Sequence, residues 1–138
     1  MADSVCILLF NSKNELLIQV RSKDEKDYPL HWDFSAAGSV ELNETPSFAA
    51  KRELREELGL NLNLEPLFEV NFKRQSLILY KGFLDEAPSD FGHEVEEVFF
   101  MSLESLIQKQ DKEKLHPEFK YVLDEYLTLD LAESYQQG

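Results

Sequence analysis

The chain has one cysteine, one tryptophan, five glycines and five prolines in 138 residues, and no apolar run longer than the six residues VCILLF from Val5. A single Cys6 excludes an internal disulfide and leaves a small core residue as its simplest role. The short apolar run excludes a membrane-spanning helix, and no basic-then-apolar leader opens the sequence, so a cytoplasmic location is expected. Cations are also scarce: 14 Lys and Arg stand against 27 Asp and Glu, a formal charge of −13. That balance disfavours an extended nucleic-acid or anionic-membrane surface. An anionic substrate would therefore need local Arg and Lys or a bound metal. No internal repeat or low-complexity stretch is present.

What is present is a 43% apolar composition at a length that builds one core, so residues 1–138 are expected to form a single domain. SVCILLFNSKNELLIQVR predicts a β-hairpin ending in Arg21, followed by a polar loop. HWDFSAAGSV predicts a strand leading into a turn. TPSFAAKRELREELGL carries helix punctuation at both ends, with Thr45 as N-cap, Pro46 at the first helical position and Gly59 past the end. Two strands then flank a turn at Lys73 and Arg74, VEEVFFMSLESLIQKQ predicts a strand passing into a short helix, and HPEFKYVLDEYLTLDLA a closing amphipathic helix that starts near His116 and Pro117. Strands adjacent in sequence and interspersed helices predict an α/β fold with a mixed sheet rather than a purely parallel one.

The predicted helix poses a question, because Glu53, Glu56 and Glu57 crowd onto little more than one turn. Each like-charged neighbour pair costs about 0.2–0.5 kcal/mol in an isolated helix. At about 100° per residue, with Ala50 at zero, Leu54 and Leu58 fall at about 40° and 80° and form an apolar stripe. Glu57, Glu53 and Glu56 fall at about 340°, 300° and 240°, beside that stripe, whereas Phe48, Arg52 and Arg55 are expected on the outermost face. Carboxylates at the margin of a buried face need a counter-charge or a raised pKa, and a hard divalent cation such as Mg²⁺ or Mn²⁺ supplies one. A solvated face with an Arg52–Glu56 pair is the alternative from the helix alone.

Upstream residues extend the pattern. Gly38, Glu44, Arg52-Glu53-Leu54, Glu56-Glu57 and Gly59-Leu60 stand at spacings that resemble the complete Nudix box, over 23 of the 138 residues. The order of the surrounding elements is also similar to that family's fold, a mixed β-sheet sandwiched between α-helices (α/β/α) with the box as loop–helix–loop. The resemblance implies Mg²⁺- or Mn²⁺-dependent hydrolysis of a diphosphate linkage in a nucleoside diphosphate derivative or similar small metabolite. It implies Glu56 and Glu57 as metal ligands and Glu53 as a third ligand or the base. Arg52 is then the residue that orients a glutamate, Glu44 the brace of the loop or a member of the outer shell, and Gly59 a structural position. Gly38 is implied as a tight turn with its carbonyl near the metal.

HWDFSAAGSVELNE also resembles the corresponding stretch of isopentenyl-diphosphate isomerase and its hydrolase-like relatives. The isomerase's cysteine and histidine are replaced here by Ala37 and Ser39, so isomerisation is disfavoured. A non-catalytic nucleotide-binding module is a further alternative, disfavoured by the intact box. In many members the base comes from a later loop, where Glu94, Glu96 and Glu97 are candidates and Glu97 is favoured. Arg21, Tyr28, Trp32 and Phe34 are the expected substrate contacts; for the aromatics, core packing is the competing reading. A small-molecule diphosphate is the expected partner, and a homodimer is left open.

Overall fold

The computed structural model describes residues 2–110 and 114–137. Its elements are β1 (Ser4–Phe10), β2 (Glu15–Arg21), β3 (Trp32–Asp33), β4 (Ala36–Ser39), α1 (Pro46–Leu58), β5 (Glu65–Phe72), β6 (Gln75–Phe83), β7 (Val95–Ser102), α2 (Leu103–Lys109) and α3 (Pro117–Gln137). The sheet runs β3-β2-β1-β6-β5, with β4 also on β1 and β7 also on β2. Among the named strands β1 and β6 pair in parallel and the other pairs are antiparallel, so the sheet is mixed as expected.

Strand β1 is buried on both faces, which is why VCILLF is continuous rather than alternating. Val5, Ile7 and Leu9 join Leu17 against Ala50, Leu54 and Leu58 of α1. Cys6, Leu8 and Phe10 join Leu16 and Ile18 against Leu106 of α2 and Phe119, Val122 and Leu123 of α3. The sheet is therefore sandwiched between helices. Helix α3 runs to Gln137, and its amphipathy is confined to the first half, since Leu129 and Leu131 are exposed.

Two expectations are corrected. HWDFSAAGSV is not one strand: β3 pairs with β2, the chain steps across at Phe34 and Ser35, and β4 pairs with β1. The hairpin of β1 and β2 closes at Phe10 and Leu16, and toward its open end β1 instead takes β4, with Ser4 to Ile7 opposite Ser39 to Ala36. Buried Ser35 bridges the two strands: its hydroxyl accepts from Leu9 N at 2.9 Å and donates to Leu17 O at 2.7 Å. Backbone groups that the parting strands leave without each other are thereby satisfied. At the other hairpin, Lys73 and Arg74 form the turn with φ of 47° and 67°, the left-handed pair that a tight two-residue connection requires.

Candidate active site

Helix α1 begins as its sequence predicts. The Thr45 hydroxyl accepts from Phe48 N at 3.2 Å, Pro46 opens the first turn, and Gly59 closes the helix at φ 65° with its N–H donating to Arg55 O. Ala50, Leu54 and Leu58 are buried, and Phe48 and Arg55 face solvent. Arg52 does not. Although its helical position points outward, its long side chain turns back and is only 9% exposed.

The Arg52 guanidinium explains the turn. Nε and Nη2 fork onto the two oxygens of Glu44 at 2.6 and 3.0 Å, Nη2 also donates to Ser39 O at 3.0 Å, and Nη1 reaches Glu53 at 2.7 Å and Glu56 at 3.2 Å. A planar five-donor group is needed for that set, and lysine could not supply it. Glu44 is thus a brace, and its hydrogen bonds from Arg52 hold its carboxyl below the usual carboxylate range. The same contacts push the guanidinium's own pKa up.

Gly38 makes room rather than a turn. It lies in β4 opposite Val5, and a Cβ built on it would sit 2.2 Å from the carboxyl of Glu53. Glu53 therefore presses its carboxylate against bare backbone. One helical turn on, Glu57 is 6% exposed, its Oε1 accepts from Gln19 Nε2 at 2.8 Å, and its Oε2 is buried without a partner. Burial first, and then the neighbouring Glu53, push the Glu57 carboxyl well above its ordinary value. Glu56 stays exposed on its tether to Arg52. Two adjacent carboxylates, one with an orphaned buried oxygen, form a hard-oxygen donor set that suits a divalent cation. Among the described residues no three acidic, His or Cys side chains already converge in ligating geometry.

A cleft of about 250 Å³ opens beside Glu57, lined also by Gln19, Asp33, Gly38, Glu94 and His116. Alternation along β2 aims Leu17, Gln19 and Arg21 at the α1 side. Asp33 is opposite Gln19 in register, so it shares that side. It is buried, accepts from Phe34 N at 2.8 Å and from Arg21 Nη1 at 3.2 Å, and burial raises its carboxyl despite the opposing pull of His116, that N–H and Arg21. Burial likewise lowers His116, which starts α3 with its Nδ1 accepting from Glu118 N.

Several expected substrate contacts are engaged within the chain. Arg21 lines the cleft, where it is held by Asp33 and by the carbonyls of Asp27 and Tyr28. Tyr28 lies edge-on between His31 and His116 at 5.1 and 4.8 Å, Trp32 packs against Phe99 on the opposite face of the sheet, and the Phe34 ring is buried in the core against Phe119. That packing gives Phe34, 1% exposed, a core role, while Trp32 is partly buried on the α3 side of the sheet. Glu97 is corrected too. Val20 stands between Trp32 and Glu97 in register, and Phe99 two residues on packs with the α3 side, so Glu97 faces away from α1. Glu96 accepts from Lys23 N, and Glu94 is the acid of that loop at the cleft. The loop is seated by Gly92, whose N–H donates to Glu57 O at 2.9 Å and whose missing Cβ would lie 2.8 Å from Glu56 O. Gln19, Ser35 and Asp33 escaped sequence reasoning; for Gln19 and Asp33 the available signal was a polar residue at an inward strand position.

Comparison with known proteins bears on this geometry. A family model of the NUDIX domain matches residues 1–124. An uncharacterized Nudix hydrolase, lin0387 of Listeria innocua, is 50% identical over 60 residues, which is 44% of this chain and 36% of the relative. Isopentenyl-diphosphate Delta-isomerase I, chloroplastic, of Arabidopsis thaliana is 35% identical over 133 residues, or 88% of this chain and 43% of the relative. The matched stretch thus spans about a third of the first curated relatives. The crystal structure of DR0079 from Deinococcus radiodurans shares the fold at a TM-score of 0.82 and 23% identity, with 90% of this chain and 82% of that one covered.

Proposed function

Because this chain belongs to the NUDIX family, whose members act on nucleoside diphosphate derivatives, we propose that it is a Mg²⁺- or Mn²⁺-dependent hydrolase of a diphosphate linkage in such a derivative or a similar small metabolite. The observation that carries the reading is the buried, partnerless Oε2 of Glu57 beside Glu53, at the wall of a cleft. Glu57, Glu53 and Glu56 would hold the cation, with the backbone of Gly38 alongside. A bound divalent cation supplies neutralisation of the diphosphate oxygens and acidification of water. The chain's own residues do the rest. Arg52 holds Glu53 and Glu56 in place, Glu44 locks Arg52, and Glu94 replaces Glu97 as the loop carboxylate that takes the proton from the attacking water. As the water oxygen bonds to phosphorus, the bridging P–O bond breaks and the leaving phosphate departs.

Isomerisation is the second reading, favoured by the extent of the match to the plant isomerase. It meets a chemical obstacle: Ala37 and Ser39 stand where the resemblance places the cysteine and histidine. Cys6 is opposite Ala37 in register, but it is fully buried and burial pushes its thiol up. The test is phosphate, nucleotide and isomer release from nucleoside triphosphates, nucleoside diphosphate sugars, dinucleotides and prenyl diphosphates, with Mg²⁺ and with chelator. Glu57→Gln and Glu56→Gln should each lower metal-dependent cleavage at least about 100-fold while circular dichroism stays native. Undiminished cleavage in both variants would sink the assignment, and isomer formation without cleavage would install the second reading.

A further inference from the structure

Gln19 lies on a strand, outside the motif of α1, yet it is only 5% exposed and both hydrogens of its amide nitrogen are engaged. Its Nε2 carries two hydrogens: one goes to Ser35 O at 3.0 Å and the other to Glu57 Oε1 at 2.8 Å. Ser35 is itself fixed, because its hydroxyl bridges Leu9 N and Leu17 O across the parting of β1 and β2. A rigid line of hydrogen bonds therefore runs from the sheet, through the carbonyl of Ser35 and the amide of Gln19, to one oxygen of Glu57. The other oxygen is the buried atom without a partner. An amide suits this position because it donates twice from one nitrogen, whereas a carboxylate or an aliphatic side chain donates nothing.

We infer that Gln19 is a positioning residue for the cation site: its amide clamps Glu57 Oε1 to the sheet and so presents Oε2 to the cleft in a single orientation. The inference rests on the reading of Glu57 as a cation ligand. Partners that orient a ligand in this way are commonly worth about 10–100-fold in metal affinity. Because the clamp acts through Glu57, its effect must vanish where Glu57 cannot ligate.

The test is titration of free Mn²⁺ by electron paramagnetic resonance, with no substrate, on the native chain, Gln19→Met, Glu57→Gln and the double variant. Gln19→Met preserves length and burial but cannot donate, and should weaken Mn²⁺ binding about tenfold or more. In the Glu57→Gln background the same substitution should change nothing further, a non-additivity that a merely structural role would not produce. Gln19→Asn, one methylene shorter and unable to span both acceptors, should match Gln19→Met and serves if the latter fails to fold. Native Mn²⁺ affinity in the folded Gln19 variants, or an equal loss with and without Glu57, overturns the clamp alone. Absence of Mn²⁺ binding by the native chain overturns the cation reading together with the clamp.

Discussion

Glu57 is held where its charge is least comfortable, and that has a measurable sign. Burial raises its carboxyl well above the ordinary 4.5, so in the metal-free protein its favourable contribution is complete below that value and is lost as pH rises through the folded value. Glu57→Gln removes the charge and keeps the volume. In chelator it should be more stable than the native chain at pH 8, with the gap closing toward pH 4.5 in thermal melts. Glu44 titrates in the opposite sense, since Arg52 lowers it, but it does so in both proteins and cancels from the difference. Mg²⁺ should then raise the melting temperature of the native chain and not of the variant. A gap that is constant with pH would contradict the assigned role of burial.

At the scale of elements, the site depends on where α1 starts and stops. Thr45 and Pro46 set its first turn, and Gly59 ends it in the left-handed region just after Glu57 and Leu58. A side chain at Gly59 would carry the strain of φ 65° and approach Asp90 O at 3.2 Å. Gly59→Ala should therefore cost about 1–2 kcal/mol in denaturant midpoints. The loop that ends in Glu94 docks on this same helix end through Gly92. Catalytic loss in Gly59→Ala should accordingly exceed what the unfolded fraction explains, and activity scaling only with folded protein would separate the two elements. These helix ends were legible in the sequence because capping is local chemistry within a few residues. The division of HWDFSAAGSV into two strands was not, since it is decided by which strand stands beside each half.

Across the whole molecule, −13 of formal charge surrounds a core closed on both faces of the sheet. Self-repulsion at that charge opposes compaction and is screened by salt. Raising NaCl from about 10 mM, where the screening length is about 30 Å, to about 100 mM, where it is about 10 Å, should raise the melting temperature of the metal-free chain. An unchanged or lower melting temperature would show that the acidic surface is already balanced locally, as it is around Arg52. Among the described residues no helix is long and apolar enough to cross a membrane. Composition, the ends of α1 and the spacing of Gly38, Glu44, Arg52, Glu53, Glu56 and Glu57 were determined by the sequence itself, because each depends on neighbours close along the chain. Tertiary structure alone decided that Arg52 folds inward onto Glu44, that Gly38 yields its space to Glu53, that Glu97 looks away and Glu94 toward the cleft, and that Gln19 reaches Glu57. Those outcomes depend on strand register and on which face of the sheet a helix covers. A shift of one residue exchanges the two faces, and only packing of the whole chain settles it.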